Sequence, residues 1–399
     1  MNGQTDGSEE GPLRVPRPRV LVAGTKFGQV YLQAFRRPGF PFELAGILAR
    51  GSERSLACAE HYGVPLYTDP GQVPGDVRLA CVVIRGGLLG GPGAEVAQAL
   101  MERGVHVLQE HPLHHDELAA CLRTAKRAGV VYHLNSFYVN VAPVRRFLAA
   151  AAELLARRPA RYVDAACGFQ VAYALLDILG RSLGGVRPWA FTPPAPRDAA
   201  AARLTTLDVP FRGLDGVLAG VPLTLRVQNQ LDPADPDNHA HLLHRITIGT
   251  EAGNLTLVGT HGPVVWSPRP DFPREVQDAA TGTVHFAEGP PGGADSGAAG
   301  DHLDVPSAVP LGPAEAPSYR RIFDTVWPEG IEHALRRLHA AASAGTSPAR
   351  EGQYHLTLCR LWQDITALLG PPELVRGEEP RMLGPDAVKA LATAAEGAS

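Results

Sequence analysis

The chain has only five cysteines in 399 residues, 6% aromatics and no excess of positive charge. It also lacks an apolar run long enough to cross a bilayer, which takes about 20 residues as a helix. Each shortage excludes something. The cysteines, Cys58, Cys81, Cys121, Cys167 and Cys359, are odd in number, scattered and never spaced as C-x-x-C. That pattern suits free, mostly buried thiols in a reducing cytoplasm. A formal net charge of −4 argues against a nucleic-acid surface, because binding phosphates usually needs a basic face. The first 17 residues, MNGQTDGSEEGPLRVPR, hold no apolar core. They predict a disordered tail and not a signal peptide.

What is present fits a folded protein: 45% apolar and 20% charged residues, in a chain too long for one typical domain and comfortable for two. Short apolar segments at 19–24 (RVLVAG), 42–49 (FELAGILA), 79–84 (LACVVI), 105–108 and 130–134 read as buried strands. Segments at 27–37, 52–63, 94–103 and 116–128 read as helices, with Ser52 as an N-cap and Gly63 closing its helix. Nearly all-apolar strands alternating with helices predict a parallel sheet covered on both faces, a doubly wound α/β domain over 18–140.

After Val139 the pattern changes. Helices are expected over 142–157 and 171–183, with a strand at 161–166 between them. Segments 223–231, 244–250, 255–260 and 263–267 then read as an antiparallel meander, with its clearest turn at 251–254 (EAGN). Helices near 329–342 and 354–369 complete an α+β domain over 141–375, and 376–399 reads as a loose tail. The segment 288–300 (EGPPGGADSGAAG) reads as a mobile loop.

Ligands of an open parallel sheet bind at the carboxyl ends of its strands. The first such end carries Gly24, Thr25, Lys26, Phe27 and Gly28, a degraded form of the dinucleotide fingerprint in which only the third glycine keeps its place. Lys26 would suit a pyrophosphate. The second end, ARGSERS, has no carboxylate at the strand tip for a ribose hydroxyl. Arg50, Ser52, Arg54 and Ser55 cluster there instead, which is the chemistry a 2′-phosphate wants. NADPH is therefore the expected cofactor. Glu53 is expected to favour the helix dipole. Arg85, after the third strand, either touches the cofactor or lies on the surface.

The fourth end reads QEHPLHH, Gln109 to His115. A metal site needs three convergent ligands, and Pro112 argues that His111 precedes the helix while His114 and His115 lie solvated in its first turn. No metal is expected. Glu110 is expected near the cofactor.

The triplet Glu110-His111-Pro112 resembles the E-K-P signature of the glucose-fructose oxidoreductase, inositol dehydrogenase and rhizopine-catabolism (Gfo/Idh/MocA) superfamily, with histidine in place of lysine. One branch resembles this chain more closely, the thiazolinyl imine reductases of yersiniabactin and pyochelin siderophore assembly. The resemblance rests on V-x-G-x-K-F-G at 22–28, G-S-x-R-S at 51–55, Q-E-H-P-L-H at 109–114 and N-x-F-Y at 135–138. In the second half it rests on RVQNQLDP at 226–233 and THGPVVW at 260–266. It implies a Rossmann domain, then an α+β domain with a large open, mostly antiparallel sheet that often makes a dimer. It also implies NADPH-dependent reduction of a thiazoline C=N to a thiazolidine, on a nonribosomal peptide intermediate held as a thioester by a carrier protein.

Imine reduction delivers hydride to carbon and a proton to nitrogen, so a positioned acid is required. The resemblance makes His111 and Tyr138 the candidates. On residues alone each has a bland alternative: Tyr138 could pack under the domain linker, and His111 could be structural. Asn135 either satisfies backbone groups or meets substrate. His261, in THGP, could border the substrate, whereas His239, His241 and His244 are expected on the surface or a sheet face. Two other functions stay open at this level: a sugar or cyclitol dehydrogenase of the same superfamily, and a non-catalytic NADPH-binding regulator.

Overall fold

The computed structural model describes residues 17–86, 91–195, 203–207, 209–235, 238–269, 305–345, 349–376 and 383–396, together with Ala200 and the segments 275–277 and 284–286. The expected tail over 1–17, apart from Arg17, and the loop at 288–300 lie outside these residues; Arg17 donates to the Phe40 carbonyl at 3.3 Å.

Six strands make the first sheet: β1 (Arg19–Ala23), β2 (Glu43–Leu48), β3 (Leu66–Tyr67), β4 (Leu79–Val82), β5 (His106–Glu110) and β6 (Tyr132–Asn135). Their order is β3-β2-β1-β4-β5-β6 and every pair is parallel. The order reverses between β1 and β4, which opens a crevice at their carboxyl ends. Val20, Leu21, Val22 and Ala23 are fully buried, as strands covered on both faces must be. The crossovers are α1 (Gly28–Ala34), α2 (Glu53–Tyr62), α3 (Gly93–Glu102) and α4 (His115–Ala128). Local signals set their ends. Ser52 accepts the Ser55 N–H and Gly63 closes α2 with φ 63°. His114 and Glu117 form a capping box on α4, and Gly129 ends it with φ 67°.

The chain then forms α5 (Ala142–Leu155), β7 (Tyr162–Gly168) and α6 (Ala172–Ser182). The strands β8 (Trp189–Phe191), β9 (Phe211–Leu218), β10 (Val221–Gln228), β11 (Gln230–Leu231), β12 (His244–Gly249), β13 (Gly253–Leu257), β14 (Val264–Pro268), β15 (Glu275–Gln277), β16 (Val284–Phe286), β17 (Val309–Pro310) and β18 (Glu373–Leu374) follow. Eight of these make the second sheet, ordered β17-β14-β13-β12-β7-β10-β9-β8. Only β7 and β10 run parallel in it. The inner face carries Ala165, Leu225, Ile246 and Leu255, and α5 and α6 pack on this sheet.

Several expectations shift here. The strand expected over 223–231 breaks at Asn229, whose amide donates to the carbonyls of Leu369, Gly370 and Pro371 at 3.2–3.3 Å. That bond turns the chain out of β10 into the short β11–β18 pair. Strands β8 and β9 were not expected. The β9–β10 hairpin turns on Ala219 and Gly220, both at positive φ, and alanine there hides the usual Asn-Gly signal. The final helices are α7 (Trp327–Ser343), α8 (Ala349–Leu369) and α9 (Pro385–Glu396). Thus the segment expected as a loose tail carries a helix, built from good helix formers, with the side chains of 385–395 exposed. The helices α7 and α8 return to the first sheet: α7 packs on α1, β5 and β6, and α8 on α4, α6 and β6.

Candidate active site

Parallel pairing of β5 with β6 puts Glu110 opposite Asn135 at the carboxyl edge of the first sheet. His111 follows directly; its backbone N–H donates to the Asn135 carbonyl at 3.0 Å. Its Nδ1 lies 3.0 Å from Glu110 Oε1 and 3.1 Å from that same carbonyl. The other carboxylate oxygen, Oε2, accepts the Tyr31 hydroxyl from α1. Burial, then the Glu110 charge, push the Tyr31 phenol well above its ordinary pKa, so it remains a donor. Glu110, expected near the cofactor, also accepts from Asn135 Nδ2 at 3.4 Å, so it meets three protein side chains.

Asn135 is committed too. Its Nδ2 donates to the Tyr31 oxygen at 2.7 Å. Its Oδ1 accepts the Phe137 N–H at 3.2 Å and Asn140 Nδ2 at 2.8 Å. Phe137 is buried at φ 60°, a costly conformation for an aromatic residue. Asn135 therefore satisfies a backbone N–H of this loop. The loop leads into a short turn that begins with Tyr138.

The second domain supplies the facing wall. The His111 ring stacks on Tyr173 of α6, with centroids 5.2 Å apart. Tyr138 meets His244 edge-on at 5.0 Å and Trp327 at 6.4 Å. His244, expected on a surface or sheet face, sits buried on the inner sheet face. Its Nε2 bonds the Val171 carbonyl at 3.1 Å and its Nδ1 the Thr260 hydroxyl at 3.0 Å. Burial pushes its pKa down to about 3, with His261 and His111 near enough to add repulsion. Trp327 Nε1 donates to His261 Nε2 at 2.9 Å, and burial takes His261 down to about 4. His111 and Tyr138 thus surround His244, with His261 one residue further out. His239 lies away from this wall, with Nε2 on the Gln230 carbonyl at 2.8 Å.

His114 caps α4, and His115 faces Asp116 and Arg360, so the histidines of QEHPLHH do not converge. Among the described residues no group of three His, Cys, Asp or Glu side chains is placed to hold a metal ion.

The cofactor side has the shape a dinucleotide needs. Gly24 turns at φ +101°, and a Cβ there would meet the Val83 carbonyl oxygen at 2.4 Å. Only glycine lets β1 turn so tightly against the end of β4. Gly28 is different: an added Cβ would meet nothing closer than 3.8 Å. Lys26, Arg50, Ser52 and Arg54 are exposed around this edge. The side chains of the three cations make no hydrogen bond or ion pair with other described residues, so they are available to phosphates. Ser55 is fully buried, and its hydroxyl donates to the Ser52 carbonyl at 2.7 Å; it is spent on the helix turn. Thr25 is buried. Phe27 packs edge-on against Phe137 and Trp327. Arg85 is exposed beside the segment 87–90, which lies outside the described residues. A cleft of about 650 Å³ between α1 and α2 has Arg54 and Trp327 in its lining.

Sequence reasoning missed Tyr31, Tyr173 and Trp327. Each sits among apolar residues at helical spacing, where an aromatic reads as core.

The family described as "Oxidoreductase family, NAD-binding Rossmann fold" (Gfo/Idh/MocA) matches residues 18–136. The one described as "Thiazolinyl imine reductase Irp3-like, C-terminal" matches 158–267. No curated protein matches the chain. A 3-ketoreductase from Actinomadura kijaniata, solved with NADP and TDP-benzene, is similar in structure at 14% identity and TM-score 0.59, over 90% of this chain and 100% of that one. A putative myo-inositol dehydrogenase from Sinorhizobium meliloti gives 13% and 0.56, over 87% and 95%. GenD2 from gentamicin A biosynthesis, solved with NAD, gives 16% and 0.55, over 90% and 95%. These structures share the fold, and they hold NADP in one case and NAD in another.

Proposed function

As this chain belongs to the Gfo/Idh/MocA oxidoreductases and carries the Irp3-like C-terminal domain of the thiazolinyl imine reductases, we propose that it reduces the C=N bond of a thiazoline ring to a thiazolidine. The substrate in this reading is a siderophore-type peptide intermediate, held as a thioester on a carrier-protein domain of a nonribosomal peptide synthetase. The carrying observation is the imidazole of His111, anchored by Glu110 at the position of the superfamily lysine. A sugar dehydrogenase needs a base that handles an alkoxide; an imine needs a donor.

A nicotinamide cofactor, read as NADPH from Arg50 and Arg54, which pair with no other side chain among the described residues, and from the missing acid at the end of β2, supplies the hydride when bound. The chain's part is the proton. As the ring carbon gains hydrogen the nitrogen gains electron density, and His111 or Tyr138 donates a proton to it in the same transition state. Tyr173 and Trp327 wall the crevice and limit water. His244 and His261, held neutral by burial, keep extra positive charge away from His111.

The test is direct. The purified protein, with NADPH and a thiazoline thioester presented on a carrier protein, should yield a product heavier by two hydrogens. Turnover of free polyols or nucleotide sugars with NADP, and none of the thiazoline, would overturn the reading. Cofactor consumption on no substrate of either class would favour the non-catalytic alternative.

A further inference from the structure

We infer that Glu110 and Tyr31 are positioning residues that fix His111 with its proton on Nδ1, which makes Nε2 the atom that exchanges a proton in the crevice. Hydrogens are assigned from a network, and here one fixed donor orients the whole chain of bonds. The Phe137 backbone N–H can only donate, and it points at Asn135 Oδ1. That settles the amide's orientation and aims Nδ2 at the Tyr31 oxygen, 2.7 Å away. The Tyr31 oxygen therefore accepts from Asn135 and gives its own hydrogen to Glu110 Oε2.

Glu110 accordingly needs no proton of its own, and a carboxylate only accepts. Its Oε1 faces His111 Nδ1 at 3.0 Å. The second neighbour of Nδ1, the Asn135 carbonyl at 3.1 Å, is also an acceptor. Two acceptors around one ring nitrogen require a hydrogen on it, whether the imidazole is neutral or cationic. The His111 and Glu110 side chains are only 7% and 10% exposed and Tyr31 is fully buried, so water competes little for these bonds.

The catalytic half of this inference rests on the proposed imine reduction. His111 as imidazolium donates its Nε2 proton to the thiazoline nitrogen while hydride reaches the carbon. The C=N π bond breaks and C–H and N–H bonds form, with the hydride supplied by a bound nicotinamide that would be oxidised, and His111 is left neutral with its Nδ1–H still directed at the Asn135 carbonyl beside Glu110. Solvent restores the Nε2 proton.

The tautomer can be measured without any substrate. In full-length protein carrying ¹⁵N-histidine, the His111 ring signals are identified by their loss in His111→Ala. At high pH they should report a protonated Nδ1 and a bare Nε2. A bare Nδ1 in the wild-type protein would overturn the inference, whatever the enzyme turns out to reduce. In Glu110→Gln the preference should weaken, and turnover of the thiazoline should fall about tenfold or more, the scale on which groups that orient a catalytic imidazole act. The KM values should stay close to wild type. Tyr31→Phe should show the same split with a smaller loss. A rise in KM with turnover intact would instead make Glu110 a substrate- or cofactor-binding group. If thiazoline reduction is never observed, the proposed function fails while the ring signals still decide the tautomer.

Discussion

His111 and Tyr138 approach the crevice from different supports. One is tethered by a carboxylate and stacked on Tyr173, and the other is packed against His244 and Trp327. A sole general acid is typically worth about 10²–10⁴-fold. In the proposed reaction two candidate donors in one crevice can substitute for each other, so His111→Ala and Tyr138→Phe should each cost less than that, and the double change more than either. NADPH affinity should stay near wild type throughout. Removal of the true donor should also erase the basic limb of the pH profile of turnover, since that limb reports loss of the donated proton. A double variant with a normal rate and an unchanged profile would mean that solvent or substrate supplies the proton. On the cofactor side, Arg54→Ala should weaken NADPH by about 1–3 kcal/mol, the range for a charge-assisted hydrogen bond, and leave NADH nearly unchanged. Equal losses for both, measured by fluorescence titration, would remove Arg54 from the 2′-phosphate site.

The helix α6 joins the candidate site to the C-terminal helices through one buried carboxylate. Asp177 accepts from Ser136 at 2.5 Å, from Arg181 at 2.8 Å and from Tyr354 at 2.9 Å. Burial alone would raise its pKa, but Arg181 and His355 hold it below the ordinary carboxylate value. Removing one partner of a buried pair leaves the other charge uncompensated, so Asp177→Ala should cost about 3–5 kcal/mol of stability, measurable by urea unfolding. A loss under about 1 kcal/mol would mean that water replaces the carboxylate. The same core sets the acid sensitivity. His244, His261 and His355 are depressed by burial from 6.5 to about 3, 4 and 4. The unfolded chain therefore binds more protons as pH falls below 6.5, and stability declines from there down through pH 4. Asp177 and Glu351, also depressed, add their loss at the acid end, below the ordinary carboxylate range. Melting temperature should be nearly level above pH 7 and drop below pH 6, and His244→Gln should flatten part of that drop. An unaltered slope would take His244 out of the account.

At the scale of the molecule, the second sheet has helices on its inner side, and none of the described helices covers the other. That outer face carries Tyr162, Asp164, Asp215, Thr224, Arg226, Thr247 and Thr256. Its own cross-strand bonds include Thr247 to Thr256 at 3.1 Å and Arg226 to Asp164 at 3.6 Å. A broad face of small polar groups with both charge signs suits contact with a second copy, because a two-fold axis pairs each patch with itself. We expect a homodimer through this face. Light scattering should give twice the chain mass, and Thr247→Arg with Thr256→Arg should reduce it to one. A dimer that survives the double change would use another surface. Among the described residues, no helix is long and apolar enough to cross a membrane.

The sequence by itself determined five of the six strands of the first sheet and its helices, because all-apolar strands and helix caps such as Ser52 and Gly63 are local patterns; the two-residue β3 is too short to show one. It also placed Glu110, His111 and Asn135 at strand ends, since topology alone sends those ends to one crevice. It could not assign their partners. Tyr31, 79 positions before Glu110, and Tyr173, on a helix of the other domain, look like core in sequence. They become contacts of the site, one a hydrogen bond and the other a ring stack, only when two sheets and α6 close on each other. The hairpin at Ala219, the break at Asn229 and the return of α7 and α8 onto the first sheet were equally hidden. Each depends on a contact far away in sequence. Local chemistry named the candidate proton donors; tertiary packing decided which of their atoms are bound, because a hydrogen-bond direction is fixed only by the groups on both sides of it.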